Sequence, residues 1–191
     1  GAARLGYDRN IMWKRGFLLL FALAPLVTAA GPAIQLSVDA SDMARRILHA
    51  KETVPVSAGT VRLAYPKWIP GEHSPTGPVT DVVGLKSMGG GKMGVWRRDP
   101  VELCVVTVEV PAGVTSIDVA FDFLVPPDAS GFSSGASATS QLGVMSWNQV
   151  LMYPAGTPSD QLDLVTTLKV PRGWRYGTAL PRLEERRVGK E

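Results

Sequence analysis

Residues 65–78, with the sequence YPKWIPGEHSPTGP, constrain the fold more than any other part of the chain. They contain four prolines, two glycines and two large aromatic residues. Because proline fixes φ and lacks a backbone N–H, neither a helix nor a central strand can run through them. Tyr65, Trp68 and Ile69 are nevertheless too apolar to lie free in water. The segment is therefore predicted to be a rigid, packed connection between two strands, with Trp68 buried and its indole N–H hydrogen-bonded.

The sequence on both sides of this segment has the period of β structure. Residues 33–39, 60–65, 116–125 and 162–170 alternate apolar and polar side chains, as half-buried strands do. Residues 79–88, 92–98 and 102–110 are also predicted strands, with a turn at the three glycines 89–91.

The sequence of two segments, residues 45–56 and residues 128–141, can be interpreted in more than one way. Residues 45–56 fit a helix or a strand, and the β-branched residues and the proline at 53–55 favour a strand with Leu48, Ala50, Val54 and Val56 on one face. Residues 142–153 are predicted to form a hairpin, with Trp147, Asn148 and Gln149 at or near its turn. Residues 128–141 form a long loop that is either functional or an ordinary surface connection.

These patterns predict roughly eight to ten short strands and no helix of ten or more residues. We therefore expect an all-β domain, an antiparallel β-sandwich, preceded by a signal-peptide helix.

The first thirty residues have the pattern of an export signal. Residues 12–15 are MWKR, residues 16–27 are apolar and residues 28–30 are small, which is typical of a secretory signal peptide at 12–30. The apolar run is shorter than the ~20 residues of a membrane span, so an uncleaved anchor is the less favoured alternative. Residues 1–11 are then upstream read-through. We expect a periplasmic or secreted protein, bound to a membrane only if the signal segment is uncleaved.

The charge and the cysteine content argue against a nucleic-acid-binding protein and against a protein stabilised by an internal disulfide. The formal net charge is +3, but residues 1–30 hold four of the 20 basic residues and one of the 17 acidic ones. The rest of the chain is neutral and offers no basic patch for nucleic acid. The single cysteine, Cys104, cannot form an internal disulfide, and its place in a predicted strand favours an inert thiol.

The residues do not form a complete active site. His49 and His73 are the only histidines and neither belongs to an H-E-x-x-H motif, so we predict no metal, cofactor or catalytic residue in this chain. Glu72 and His73 either line a cleft or are simply solvated. A Ser–His–Asp hydrolase built on His73 and Asp81 lacks the G-x-S-x-G motif. Tryptophans at four positions fit a sugar platform or, more commonly, packing: Trp68, Trp96, Trp147 and Trp174.

Three blocks of sequence resemble a known family. Residues 65–73 (YPKWIPGEH), 96–101 (WRRDPV) and 146–156 (SWNQVLMYPAG) are similar to the N-terminal domain of the glycyl-aminopeptidase family of zinc metallopeptidases. The similarity runs from about residue 34 to residue 181. Residues 182–191 do not fit it, and their charged, aperiodic sequence is typical of a disordered, artefactual tail.

The resemblance implies a non-catalytic β-sandwich domain, residues 31–181, of an exported enzyme whose zinc ligands lie in a separate catalytic domain. This domain would pack on that partner and help to form the cleft for a peptide substrate. The residues expected at the cleft or domain boundary are Trp68, Glu72, His73, Trp147, Asn148 and Gln149. The alternative is a self-standing exported β-sandwich that binds protein or glycan.

Overall fold

Alternating apolar residues form strands where the sequence predicts them. The structure, a computed structural model, describes residues 32–127 and 135–180. In this part of the chain twelve strands occur, eight of them with three or more residues. They are β1 Ile34–Asp39, β2 Ile47–Pro55, β3 Gly59–Ala64, β4 Val82–Gly89, β5 Lys92–Met93, β6 Trp96–Arg98, β7 Val105–Val110, β8 Ser116–Leu124, β9 Ser137–Ala138, β10 Gly143–Val144, β11 Tyr153–Pro154 and β12 Leu164–Lys169. The predicted all-β class is confirmed.

Helical structure in the described residues is limited to short 3-10 turns. They span Met43–Arg45, Val79–Asp81, Trp147–Val150 and Ser159–Gln161. No helix of this part is long and apolar enough to cross a membrane. The predicted signal peptide, the residues before it, the charged tail and residues 128–134 of the long loop lie outside the described residues.

Two larger sheets enclose the core. One has the strand order β12-β1-β2-β8-β4-β5 and the other β11-β3-β7-β6, while β9 and β10 form a separate pair. The inward side chains of both larger sheets meet in one apolar cluster. In β8, for example, Ile117, Val119, Phe121 and Phe123 are buried and the residues between them face outward, as predicted.

Three features of the topology differ from the expectation. The pairing of β1 with β12 is parallel, so the larger sheet is mixed rather than purely antiparallel. Residues 92–98 form two strands in different sheets, because the chain crosses over at Gly94, which packs against Ser87. The predicted hairpin at 142–153 is wrong: β10 pairs with β9, residues 147–150 form a 3-10 turn, and β11 pairs with β3.

The outer face of the larger sheet carries a histidine between two carboxylates. The His49 Nδ1 lies 2.7 Å from an Asp122 carboxylate oxygen, and its Nε2 lies 3.2 Å from an Asp42 oxygen. Both ring nitrogens donate only when the imidazole is protonated. The hydrogen bond with Asp122 raises the pKa of His49, partial burial opposes this increase, and the Asp42 contact adds to it.

The raised pKa makes the contribution of His49 to stability pH-dependent. That contribution is complete below the unfolded-state pKa of about 6.5 and is lost as the pH rises through the higher folded-state pKa. Because all three side chains are partly exposed, we expect His49→Asn to cost about 0.5–1 kcal/mol at pH 5.5 and much less at pH 9. Urea unfolding at the two pH values measures this difference. His73→Asn is the control. If His49→Asn lowered the free energy of unfolding equally at both pH values, the pH-dependent role assigned to His49 would be contradicted.

Candidate functional site

A cavity of about 440 Å³ opens at one end of the sandwich, where four parts of the chain meet. The proline-rich segment 65–78 forms one wall and residues 146–149 form another. The other two parts are the end of β8, with its last inward residue Phe123 followed by Pro126, and residues 135–136 of the long loop. The cavity therefore depends on tertiary contacts between segments that are distant in sequence.

Backbone hydrogen bonds hold the proline-rich segment as a closed loop. Tyr65 N–H donates to the Cys104 carbonyl (2.7 Å), and Gly77 N–H donates to the Lys67 carbonyl (2.9 Å). Within the loop, Glu72 N–H donates to the Ile69 carbonyl (3.0 Å). The segment is thus an ordered connection, and its two ends lie side by side.

Trp68 is the main exception to the predicted packing of this segment. Its side chain is 65% exposed, so the prediction that it is buried is wrong. The neighbouring Lys67 accepts the Gly77 N–H with its carbonyl, and its side chain forms a partly exposed ion pair with Glu102 (2.8 Å), so these contacts of the loop do not involve the Trp68 ring. Val101 and Leu103, on either side of Glu102, are also exposed. Together we call Trp68, Val101 and Leu103 the Trp68 patch.

The opposite wall is a capped 3-10 turn. The side-chain oxygen of Gln149 accepts a hydrogen bond from Ser146 N–H (2.8 Å), and Gln149 N–H donates to the Ser146 carbonyl (3.0 Å). This arrangement leaves Asn148 at the cavity surface. Trp147 points elsewhere: it is half-buried, and its indole N–H donates to the Thr178 hydroxyl (3.4 Å).

Two buried side chains connect this wall to the rest of the sandwich. The Tyr65 hydroxyl donates to the backbone carbonyl of Gln149 (3.0 Å), which links the two walls directly. The Glu52 carboxyl accepts from Met152 N–H at 3.1 and 3.2 Å, which links the wall to β2. Both side chains are fully buried.

The ionisable side chains that line the cavity are mostly acidic. Glu72 and Asp81 contribute carboxyl groups, and no lysine or arginine lies among the described residues that line it. Partial burial raises the pKa of Asp81. His73 lies in the same lining, but no hydrogen bond joins it to Asp81 in the described residues, so the triad geometry is not formed.

Of the six residues proposed from the sequence, Glu72, His73, Asn148 and Gln149 line the cavity, while Trp68 and Trp147 do not. The structure adds Asp81 and Phe123 to the lining, and Tyr65 and Glu52 behind it. Phe123 and Tyr65 had a sequence signal as inward positions of predicted strands, and Asp81 was named only as part of the disfavoured Ser–His–Asp set.

The family of the chain follows from its sequence. Residues 35–190 match the family model of the Peptidase M61 N-terminal domain. The chain belongs to this family. The resemblance seen in the three sequence blocks is therefore confirmed, and the matched span includes residues 182–190, which the sequence pattern sets apart as a tail.

A solved structure shows the same fold as this M61 N-terminal domain. It is the crystal structure of an aminopeptidase N family protein from Idiomarina loihiensis, with a TM-score of 0.59 and 15% sequence identity. The similarity covers 73% of this chain and 22% of that one, so the M61 N-terminal domain spans only a small part of that protein's length. No curated protein shows significant sequence similarity.

The described residues of this M61 N-terminal domain form no group of side chains that fits a zinc ion. Within residues 32–127 and 135–180, no three His, Cys, Asp or Glu side chains come together as a metal site. His49 contacts two aspartates on the outer sheet face, and His73 lies in the cavity on another part of the domain. Cys104 is half-buried, and burial raises the pKa of its thiol.

Proposed function

We propose that this chain is the non-catalytic N-terminal β-sandwich domain of an exported, glycyl-aminopeptidase-like zinc metallopeptidase. It packs on a catalytic domain of the same polypeptide and forms one wall of the substrate cleft. The observation that carries the proposal is the family match over residues 35–190, since that family is described as the N-terminal domain of a peptidase.

The geometry of the cavity end supports a role at a domain boundary. Ligand sites commonly form between domains, and Ile69, the residue after the exposed Trp68, lines this cavity. An exposed tryptophan on a loop that is fixed by backbone hydrogen bonds is the type of residue that dominates protein interfaces. We therefore place the contact with the catalytic domain at the Trp68 patch.

The charge of the cavity supports a peptide substrate. Its lining carries the carboxyl groups of Glu72 and Asp81 and the amide of Asn148, with no lysine or arginine among the described lining residues. Carboxyl groups attract an ammonium group and amides bind a peptide backbone. The cavity wall would therefore bind the polar part of a peptide whose scissile bond lies in the catalytic domain.

The first test separates this domain from a complete enzyme. The purified chain should neither cleave glycyl peptides nor retain stoichiometric zinc after dialysis, because its described residues form no ligand set that could lower the pKa of a bound water. Peptidase activity or one zinc ion per chain would overturn the proposal. A downstream reading frame with H-E-x-x-H would support it, and binding of glycan or an unrelated protein without such a frame would favour the self-standing module.

The second test concerns Trp68. We expect Trp68→Ala to change the stability of the chain by less than about 0.5 kcal/mol, because the side chain is mostly exposed. Association with a catalytic domain supplied as a separate polypeptide should weaken by about 2 kcal/mol, roughly thirtyfold in Kd, as for a buried interface tryptophan. Calorimetric titration measures the change.

Met93→Ala is the matched control for Trp68→Ala. Met93 is 63% exposed and lies on the β4–β5 hairpin instead of the proline-rich loop. The Met93→Ala variant should bind the catalytic domain with the same Kd as the unmodified chain. Equal Kd values for all three proteins would place the domain contact elsewhere without affecting the family assignment.

A further inference from the structure

Glu52 is a carboxyl group in the apolar core. It lies at an inward position of β2 and its side chain is 0% exposed. Its direct neighbours in the adjacent strands are Leu36 of β1 and Val119 of β8, both buried and apolar. The sandwich thus places an ionisable group where only apolar side chains surround it within its own sheet.

Among the described residues, the carboxyl group has one hydrogen-bond donor. Both of its oxygens lie within hydrogen-bond distance of the same group, the backbone N–H of Met152. A carboxylate needs several donors or a cation to replace the water it loses on burial. A neutral carboxylic acid needs far less. Burial raises the pKa of Glu52 well above its ordinary value, and the Met152 N–H only partly offsets this.

The Met152 contact fixes the position of the cavity wall. Met152 lies two residues after the 3-10 turn Trp147–Val150, which places Asn148 and Gln149 at the cavity. From the other side, Tyr65 holds the same turn through the Gln149 carbonyl. The segment 146–152 is therefore held at two points, by a phenol from one sheet and by a carboxyl from the other.

We propose that Glu52, as a neutral carboxylic acid, clamps the segment 146–152 against the larger sheet, and that its ionisation releases this cavity wall. An ionised Glu52 can reach water only if the segment that covers it moves. The position of Asn148 at the cavity then depends on the protonation of a residue that does not itself line the cavity. The inference does not depend on the catalytic partner, since every contact lies within the described residues.

Among the described residues, no other charged side chain lies directly opposite Glu52. The strands beside β2 place Leu36 and Val119 opposite Glu52, and the covering segment places Met152 there. Tyr65, directly after β3, is the one titratable group among the described buried residues in and next to the four-stranded sheet, and burial raises the pKa of its hydroxyl above the ordinary value. The nearest histidine along β2, His49, lies on the opposite face of the sheet.

Direct titration tests the clamp. In the chain labelled with carbon-13 at glutamate side chains, the Glu52 carboxyl resonance should titrate with a midpoint well above the ordinary glutamate value of about 4.3. The amide resonances of residues 146–152 should shift with the same midpoint. The hydrogen-exchange protection of the Met152 amide should fall about tenfold for each pH unit between the ordinary glutamate value and this midpoint, and should level off above the midpoint.

Two variants separate the clamp from a general alkaline loosening. Glu52→Gln keeps the shape of the side chain and an acceptor oxygen but cannot ionise. The pH-dependent changes in the amide resonances of residues 146–152 should therefore disappear in this variant. Glu109→Gln, an exposed glutamate on β7, should leave them unchanged. A Glu52 midpoint near the ordinary value would overturn the proposal, as would a wall that does not shift with Glu52. The wild-type titration gives this answer even if Glu52→Gln fails to fold.

Discussion

Replacing Gly77 with alanine is expected to disrupt the proline-rich loop and to lower the free energy of unfolding by about 3 kcal/mol or more. A Cβ atom at this position would lie 1.9 Å from the Pro66 carbonyl oxygen and 2.8 Å from the Lys67 Cα. Both are backbone atoms, so no change of side-chain rotamer relieves the overlap. The loop must open instead, with loss of the hydrogen bond from Gly77 N–H to the Lys67 carbonyl.

Urea unfolding of Gly77→Ala measures the loss, and Gly177→Ala is its control. A Cβ at Gly177 meets no atom within 4 Å, so this variant should stay within about 0.5 kcal/mol of the unmodified chain. Because the loop forms one wall of the cavity, the amide resonances of Ser146 and Asn148 on the other wall should also shift in Gly77→Ala. Unchanged stability and unchanged resonances would show that the two ends of the loop do not lie as close together as described.

The strands were predictable because a single buried face imposes a period of two. In β8 this period is complete over nine residues, and the structure buries the same four positions that the pattern selects. Pairing partners are not encoded in this way. The parallel contact of β1 with β12 joins residues about 130 positions apart, and no local feature of either strand indicates it.

Glu52 shows where the pattern misleads. Positions 48, 50, 52 and 54 face inward in β2, yet a charged residue argues against burial unless a partner is known. The partner is the Met152 N–H, 100 positions further along the chain.

Trp68 shows the opposite error. Its size and apolarity predicted burial, but the loop is held by its neighbours Lys67 and Gly77, and its own packing is not needed.

The cavity could be anticipated only in part. The proline-rich segment and residues 146–156 were singled out by their resemblance to a family, and each contributes a wall. Their meeting depends on Tyr65 and the Gln149 carbonyl, a contact over 84 positions that no spacing in the sequence predicts. Asp81 joins the cavity for the same reason, because the 3-10 turn before β4 brings it next to the loop.

Phe123→Ala is expected to combine a large loss of stability with a change in the cavity. Phe123 is fully buried, lies opposite Leu48 in β2 and Val82 in β4, and forms part of the cavity lining. Removing a buried phenylalanine ring typically costs about 3–5 kcal/mol, which includes the cost of the space left behind. Here that space adjoins an existing cavity, so the walls should also lose their support.

Phe121→Ala separates the two effects. Phe121 has the same side chain, lies on the same strand and the same buried face, and does not line the cavity. Urea unfolding should show comparable losses for both variants. The amide resonances of residues 146–149 should shift in Phe123→Ala alone, because Phe123 lines the same cavity as these residues and Phe121 does not. Equal shifts in both variants would mean that the cavity responds to the core as a whole, and the specific role of Phe123 in its lining would be wrong.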